Sequence, residues 1–403
     1  MIEYYDERHA RVSSSASPGR MGRGWHMTQL SFGADTSATR DDGKRRRCEQ
    51  PAVDRLSSLP EALLLHILSF LQLKDAIFTS FLSRRWRGLW TYTPCLEFSS
   101  GSASWRSRGG YVSPDYVDQA LALHKAPKVR VFCAAVRRDK RPRKRRTRFA
   151  KRVDYWVLFA LARGVEELEL DAVDWGYRGY FPVPYALPDC LFTCGSLVSL
   201  RLRVRHLDPP SPTLMSSLKT LSLCQVNIDD HNLKAMLAGC PFLEHLSLHD
   251  CNPSSSLHVH VEGSNSRLKT LEICDFEIER GAGSGVFISA PTISTLILDG
   301  CLKAHFEPKD LSSVVTVSLG FCHMLYWRSG HNYHQQLSDL LHKLRHVQVL
   351  KLNMGCVQVL SVRALQSSSF SSDFSIVSME LAVGFIKVEF RGIFYALRSF
   401  TKL

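Results

Sequence analysis

The feature that most constrains the fold of this chain is an apolar pattern that recurs eight times after residue 160. In each occurrence three residues follow the spacing apolar-x-x-apolar-x-apolar, which suits a short strand with one buried face. The first positions are Val165, Leu197, Leu218, Leu243, Leu268, Ile293, Val314 and Val347. From Leu218 to Ile293 three consecutive steps are 25 residues each. Such a period predicts a stack of repeated units, each made of one strand and a return, which is the segment that leads back to the next strand. The units must stack because one unit cannot bury its own apolar face.

The period and the spacing are typical of leucine-rich repeats, whose strands form a parallel sheet on the concave side of a curved solenoid. We therefore expect an α/β fold in which residues 116–403 form such a repeat domain. The return from Asp229 to Gly239 is predicted to be helical, since Asp229 or Asp230 can cap its start and Gly239 can end it. Other returns, such as residues 252–261, are too rich in serine for a stable helix. We expect an irregular convex side.

Residues 53–98 are dense in Leu, Phe and Trp, and their spacing predicts three short helices. Pro60 suits the first turn of a helix, and a second helix is expected to begin at Asp75. A third should cover residues 83–90 and end before Pro94. The apolar face of the first helix carries Leu63, Leu64, Ile67, Leu68 and Leu71. So small a core leaves large apolar side chains exposed, which usually marks a partner site.

The segments outside these two regions and the cysteine content indicate the cellular compartment of the protein. Residues 1–52 lack apolar periodicity, so we expect them to be disordered, and residues 99–115 to be a Gly/Ser/Arg linker. The longest apolar run, residues 155–162, is far shorter than the roughly 20 residues of a membrane-spanning helix. Acidic residues at the N-terminus argue against a signal peptide, and twelve cysteines without export indicate reduced thiols. We expect a soluble protein of the nucleus and/or cytoplasm, with no membrane partner.

Most of the net charge of +13 comes from one tract. Residues 137–152 contain eleven Lys and Arg and one Asp, a net +10, so the rest of the chain is nearly neutral. We expect this block to be an extended basic insertion that acts as a nuclear-import signal. It lacks interleaved aromatic residues for base stacking, which argues against nucleic-acid binding. The candidate import residues are Lys140, Arg141, Arg143, Lys144, Arg145 and Arg146.

The chemical motifs of the chain are weak. Cys190 and Cys194 form a zinc-like pair, but no second pair follows. His258 and His260 share a strand face without a carboxylate nearby in sequence. The glycines at 281, 283 and 285 precede an extended segment rather than the helix that a phosphate loop requires. Cysteines after strands, such as Cys251, suit repeat packing. We expect no metal, no cofactor and no catalytic activity.

Three motifs together resemble an F-box, closest to the plant F-box/leucine-rich-repeat type. They are Leu59-Pro60-Glu61, the stripe from Leu63 to Leu71, and the sequence SRRWRGLW at residues 83–90. Residues 159–168 and 239–244 are similar to that family's repeat domain, and residues 388–393 to its FBD-like C-terminal segment. One departure is Gln72, where the family usually has proline. Because proline would end the first helix sharply, we expect this helix to continue by one or two residues.

The resemblance implies a role. Proteins of this family are non-catalytic substrate receptors of Skp–cullin–F-box ubiquitin ligases. The F-box docks on the Skp adaptor, which connects to the cullin, and the repeats hold a target protein. Two alternatives remain: a repeat scaffold outside any ligase, and a basic nucleic-acid-binding protein. By motif position, the adaptor-binding residues would be Leu59, Pro60, Leu63, Leu64, Ile67, Leu68, Leu82, Trp86, Leu89 and Trp90.

The target-binding surface is predicted from strand alternation. Positions between the buried leucines should face outward on the concave sheet. The candidates are Arg201, Arg203, Lys219, Thr220, Ser222, Glu244, His245, Ser247, Lys269, Thr270 and Glu272.

Overall fold

A computed structural model describes thirteen stretches of the chain, which include most of the two predicted regions. The predicted disordered segment 1–52, most of the linker and residues 137–145 lie outside the described residues, as do Gly281 and Gly283. Asp54–Leu403 form one compact unit. The described ranges are 55–98, 110–136, 146–172, 186–204, 207–210, 212–253, 256–261, 267–275, 285–300, 305–321, 333–361, 374–384 and 386–399.

The described residues contain sixteen strands. In chain order they are β1 (Cys95–Phe98), β2 (Val131–Ala135), β3 (Glu167–Asp171), β4 (Ser199–Arg203), β5 (Thr220–Cys224), β6 (Asn227–Ile228), β7 (His245–His249), β8 (Asn252–Pro253), β9 (Leu257–His260), β10 (Thr270–Cys274), β11 (Gly285–Ser289), β12 (Thr295–Asp299), β13 (His305–Lys309), β14 (Thr316–Leu319), β15 (Val349–Leu352) and β16 (Ser378–Leu381). Eleven of them form one sheet in the order β1-β2-β3-β4-β5-β7-β10-β12-β14-β15-β16. Each neighbouring pair is parallel.

The repeat prediction is confirmed, because each of the eight apolar motifs coincides with a strand of this sheet. Leu246 and Leu248 of β7 are completely buried, as are Leu271 and Ile273 of β10. The register places Leu246 opposite Leu271 and Leu248 opposite Ile273. The leucines of successive repeats therefore stack into a continuous core, which is how units with one apolar face stabilise each other.

The returns between these strands are irregular, as expected. β9, β11 and β13 form a second parallel sheet, and β6 pairs with β8. Residues 252–261 thus contain two short strands rather than a helix, and residues 286–288 are extended as predicted. The predicted helix after Asp229 is confirmed. The Asp229 carboxylate accepts a hydrogen bond from the Asn232 N–H at 2.7 Å and caps the start of the helix, and Gly239 is the C-cap residue.

The helices lie at the ends of the described chain and between strands. They are α1 (Glu61–Leu68), α2 (Leu73–Phe78), α3 (Pro114–Leu123), α4 (Arg146–Leu161), α5 (Asp230–Ala238), α6 (Tyr333–Lys343), α7 (Met354–Leu360) and α8 (Lys387–Ser399). Short 3₁₀ helices occupy Thr79–Phe81, Leu89–Tyr92 and Asp189–Thr193. Within the described ranges, none of these helices combines the length and the apolarity that crossing a bilayer requires.

Residues 55–98, which we call the helical unit, differ from the prediction in two places. The second helix begins at Leu73, two residues before Asp75. The predicted third helix is instead a series of turns followed by the 3₁₀ helix Leu89–Tyr92. Gly88 explains this difference, because its φ of 81° lies in the left-handed region, which interrupts a right-handed helix.

The expectation that Gln72 lengthens the first helix is wrong, since α1 ends at Leu68. Gln72 has φ −59° and ψ 147°, a backbone conformation that proline also adopts. Its carbonyl accepts a hydrogen bond from the Ala76 N–H at 2.9 Å and so starts α2. The substitution of glutamine for proline therefore preserves this turn.

The end of the basic tract is helical rather than extended. From Arg146 onward the chain forms α4, which buries Val153 and Trp156. Arg152 lies 2.6 Å from a carboxylate oxygen of Asp118 in α3, and the Trp156 indole donates to the same side chain at 2.7 Å. Packing of the apolar face thus overcomes the repulsion expected within a block of like charge.

Candidate functional site

Seven large apolar side chains on the helical unit are exposed, and five of them lie between Leu63 and Leu82. Phe81 is the most exposed at 84%, followed by Phe70 at 76%. Soluble domains rarely leave so many large apolar side chains of one short segment in water without a binding role. We call these five residues the exposed apolar set: Leu63, Phe70, Phe78, Phe81 and Leu82.

The set arises because the first two helices use only one face each for the core. α1 buries Leu64 and Leu68, and α2 buries Leu73 and Ala76. Leu63 and Phe78 belong to the same helices but stay exposed. Since short helices expose whatever their core does not cover, the apolar residues on the other faces are left for a partner.

Five of the ten predicted adaptor-binding residues lie in the core of the helical unit, and their role in adaptor binding stays a prediction. Trp86 and Leu68 have almost no exposed surface, so their side chains hold the helical unit together. The buried five are Leu64, Leu68, Trp86, Leu89 and Trp90. The other five are accessible: Pro60, Leu63 and Leu82 are exposed, and Leu59 and Ile67 are partly exposed.

Sequence reasoning missed the three phenylalanines of the exposed apolar set. Phe78 and Phe81 stack with ring centroids 6.3 Å apart, and the Lys74 ammonium lies 5.9 Å from the Phe78 centroid. Phe70 packs edge-to-face against His66 at 4.8 Å. Periodicity gave no signal for Phe81, because it lies four residues after Ile77 and so fits the apolar face of the predicted second helix.

The helical unit continues directly into the large sheet. β1, its last segment, pairs with β2 along its whole length. The Thr91 carbonyl accepts from the Lys125 N–H at 2.8 Å, and His124 Nε2 lies 2.9 Å from the Thr93 carbonyl oxygen. Backbone hydrogen bonds therefore fix the helical unit to the first repeats.

A second candidate surface is the face of the large sheet opposite its buried leucines, which we call the open face. In parallel strands, partner residues point to the same side, so each register position forms a row across the sheet. The central row consists of Glu97, Cys133, Glu169, Arg201, Ser222, Ser247, Glu272, Ile297, Ser318, Lys351 and Glu380.

Opposite charges pair on the N-terminal half of the open face. Arg203 lies 3.1 Å from Asp171, and its Nε donates to the Gln225 side-chain oxygen at 3.0 Å. Arg201 lies 3.6 Å from Glu169. Burial raises the pKa of the Glu169 carboxyl above its usual range, although Arg201 acts in the opposite direction. These residues line a shallow depression with fixed, largely balanced charges.

The predicted target-binding residues all lie on or beside the open face, but they differ in accessibility. Arg201, Lys219, His245 and Lys269 are exposed, whereas Ser222 is buried. The other six are partly exposed, among them Glu244, which pairs with Lys269 at 2.7 Å. A rigid ligand could therefore contact the four exposed side chains first. Strand alternation placed these residues correctly, but it could not show that neighbouring side chains cover Ser222.

The cysteine and histidine motifs have structural roles. Cys190 is exposed and Cys194 partly exposed, and among the described residues neither belongs to a cluster of metal-binding groups. Cys240 and Cys251 are buried in the repeats, and burial raises the pKa of each thiol to about 12. His258 lies against Asp230 and stacks on Phe287 at 4.6 Å. A different group, His249, Glu272 and Cys274 on the open face, has the geometry to hold a metal ion.

Comparison with known proteins identifies both regions. The F-box domain model matches residues 56–97, and the model "FBD-associated F-box protein At5g56370, LRR repeats" matches residues 153–364. The chain is 30% identical over 323 residues to the Arabidopsis thaliana F-box/LRR-repeat protein At5g02930, covering 78% of this chain and 64% of that protein. It is 35% identical over 250 residues to F-box/FBD/LRR-repeat protein At4g00160 of the same species, covering 61% and 51%. It is 30% identical over 316 residues to the F-box protein At1g49610, covering 77% and 72%. The chain thus spans between half and two-thirds of the length of the first two of these relatives.

Proposed function

Because the chain belongs to the F-box/LRR-repeat family, we propose that it is the substrate-recognition subunit of a Skp–cullin–F-box ubiquitin ligase. In this proposal the helical unit docks on a Skp-type adaptor and, through it, on a cullin. The repeats bind a target protein, and the chain itself performs no catalysis. The F-box domain match supports adaptor binding in general.

The observation that carries the proposal is the exposed apolar set. Fully burying a Leu or Phe side chain contributes about 1.5–3 kcal/mol, so covering the exposed parts of five such side chains favours a complex. The buried Trp86 and Trp90 hold the surrounding helices in place and leave these side chains on the surface. Basic residues outnumber acidic ones among the exposed charges of the helical unit, which suits an acidic rim on the partner: Arg55, Lys74, Arg84, Arg85 and Arg87 against Glu61 and Asp75.

A pull-down with a purified Skp adaptor tests this proposal. The double variant Phe81→Ala/Leu82→Ala should lose adaptor binding. The matched control is Phe394→Ala/Leu214→Ala, which removes two exposed side chains of the same types from the rest of the chain, Phe394 at 67% and Leu214 at 58%. The proposal is supported if the control variant binds the adaptor and the test variant does not. Failure of the wild-type chain to bind would instead favour a scaffold outside any ligase.

We propose that the open face captures the target. Its four exposed candidates, Arg201, Lys219, His245 and Lys269, are cationic or can become so, which favours a target segment rich in carboxylates or phosphates. Charge reversal at Lys219 and Lys269 should abolish target capture and leave adaptor binding unchanged. Captured proteins can be compared by mass spectrometry between the wild type and this variant, and equal recovery would contradict the assignment.

We also propose that the basic tract directs the protein to the nucleus. Replacing Lys140, Arg141 and residues 143–146 with glutamine should lower the nuclear fraction of a fluorescent fusion. Neutralising the shorter basic cluster at 44–47 is the matched control and should leave the distribution unchanged. Nucleic-acid binding would instead appear as a binding constant that falls steeply with salt concentration.

A further inference from the structure

Four polar side chains form a compact block on the open face at the centre of the large sheet. Ser247 and His249 come from β7, and Glu272 and Cys274 from β10. The register pairs Ser247 with Glu272 and His249 with Cys274. All four point away from the leucine core, because they alternate with the buried residues of their strands.

Three of these side chains bring a nitrogen, an oxygen and a sulfur donor together. His249 Nε2 lies 3.4 Å from Glu272 Oε2, and Cys274 Sγ lies 3.6 Å from Glu272 Oε1. The ligand atoms of all three residues lie within 4.8 Å of one another. His249 and Cys274 are buried, and Glu272 keeps a fraction of its side chain accessible.

The donor types and their separations fit a tetrahedral zinc ion. Zinc binds histidine nitrogen and carboxylate oxygen at about 2.0–2.1 Å and thiolate sulfur at about 2.3 Å. At tetrahedral angles, these bond lengths place neighbouring ligand atoms about 3.3–3.6 Å apart. The observed distances fall in this range at the two different oxygens of the Glu272 carboxylate: 3.4 Å from His249 Nε2 to Oε2 and 3.6 Å from Cys274 Sγ to Oε1. Little movement would be needed to close the three groups around an ion.

The surroundings hold the carboxylate in place and are rich in negative charge. The Ser247 hydroxyl donates a hydrogen bond to Glu272 Oε2 at 2.7 Å. Hydrogen bonds from neighbouring residues to a ligating carboxylate are a regular feature of metal sites. Asp250 and Asp275 directly follow the two strands, which adds two acidic residues to this edge of the sheet. Because both strands belong to the sheet, the donors are held on a rigid support.

We propose that His249, Glu272 and Cys274 bind a zinc ion on the open face. The Cys274 thiol loses its proton to solvent when it coordinates, and a water molecule occupies the fourth position. Three protein ligands and one open position place the ion where the target-binding surface lies. The proposal does not depend on the role in a ligase, since metal binding is measured on the chain alone.

Cobalt titration of the chelator-treated, desalted full chain tests this proposal. Wild type should bind one equivalent of Co²⁺ with a thiolate-to-cobalt charge-transfer band and the visible bands of tetrahedral cobalt, and Zn²⁺ should displace it. Cys274→Ser should remove the charge-transfer band, and Ser247→Ala should keep it but weaken affinity by about 10–100-fold. Cys190→Ser, which removes an exposed thiol elsewhere, should change neither the charge-transfer band nor the affinity for Co²⁺.

Circular dichroism of each variant separates loss of the site from loss of the fold. Glu272→Gln provides a second, nearly isosteric test and should weaken Co²⁺ binding at least tenfold while leaving the spectrum of the backbone unchanged. The proposal is overturned if wild type gives no charge-transfer band. It is also overturned if the band survives in folded Cys274→Ser, or if it disappears in Cys190→Ser.

Discussion

The rings of Phe78 and Phe81 stack with centroids 6.3 Å apart and planes inclined by 30°, and both rings face solvent. The pair forms because α2 ends at Phe78 and the chain continues as the 3₁₀ helix Thr79–Phe81. The Thr79 hydroxyl donates to the Ala76 carbonyl at 2.7 Å and closes this turn. An aromatic pair that is held in place but left in water is well suited to be covered by another protein.

Gly239 should tolerate no larger side chain, although its φ of −80° is open to any residue. A Cβ atom there would lie 2.5 Å from the Thr213 carbonyl oxygen, which is backbone and cannot move aside easily. We expect Gly239→Ala to lower the free energy of unfolding by about 1–3 kcal/mol, as overpacking does. Urea denaturation measures the change. Gly195→Ala is the control, since its Cβ would meet only Ser216 Oγ at 3.7 Å, and an equal loss there would refute the steric explanation.

Buried thiols of the repeats should not react with alkylating agents in the folded protein. Burial raises the pKa of Cys240 and Cys251 to about 12, so at neutral pH both remain protonated and shielded. Cys190 is exposed and should be the first of the three to be labelled by iodoacetamide. Mass spectrometry of peptides after brief labelling gives the order, and urea should abolish the differences. Early labelling of Cys251 without denaturant would contradict the packing described for the repeats.

His124 should make the folded protein less stable in mild acid. Its side chain is buried between the helical unit and the repeats, and burial lowers its pKa below the usual value of 6.5, although the Thr93 carbonyl acts in the opposite direction. Because the folded pKa is the lower one, its contribution to stability is complete above about pH 6.5 and declines as the pH falls from there to the folded pKa. We expect the loss of stability between about pH 7.5 and 5.5 to be smaller in His124→Leu than in wild type. His245→Leu, at an exposed site, is the control and should lose as much stability over this pH range as wild type. If His124→Leu also lost as much as wild type, His124 would not be the source of the acid sensitivity.

Glu389 should be required for docking the last helix. Its carboxylate is completely buried and accepts hydrogen bonds from the Gly384 N–H at 2.8 Å and from Gln358 Nε2 at 3.1 Å. Glu389→Ala leaves both donors without this acceptor, at a cost of about 1–3 kcal/mol. Hydrogen exchange should then accelerate in α7 and α8. Glu380→Ala removes an exposed carboxylate that pairs with Lys351 at 2.8 Å, and we expect almost no change there.

The strands were predictable because the spacing of the leucines reports which side chains share a buried face. The same spacing occurs at Thr93/Leu96/Phe98 and at Ile376/Met379/Leu381, which form β1 and β16. At β1 threonine replaces the first apolar residue and weakens the signal, whereas Ile376/Met379/Leu381 fits the pattern fully and was missed.

The burial of the helical unit was not predictable to the same degree. Leu63, Leu64 and Leu65 are consecutive, so periodicity alone could not decide which of them is buried. The structure buries Leu64 because Trp86 and Trp90 pack in the same core, which is a tertiary effect. Side-chain packing thus decided which half of the predicted adaptor-binding residues remained accessible.

The zinc-like cluster could have been found from the repeat period. His249 and Cys274 are one period of 25 residues apart, as are Ser247 and Glu272. Residues one period apart occupy partner positions on neighbouring strands, so the cluster follows from the register. The ligands of this group are far apart along the chain and come together only between neighbouring repeats, so motifs of closely spaced residues do not reveal it.

Adaptor affinity tests the central claim most directly, with Leu82 and Leu214 as a matched pair. Both leucines are 58% exposed, but Leu82 belongs to the exposed apolar set and Leu214 to the repeats. Isothermal titration calorimetry with a Skp adaptor should show that Leu82→Ala weakens binding by about tenfold or more, since burial of one such side chain contributes about 1.5–3 kcal/mol. Leu214→Ala should bind like wild type. Equal affinities for Leu82→Ala and wild type, or an equal loss in both variants, would contradict the claim that the helical unit is the adaptor-binding surface.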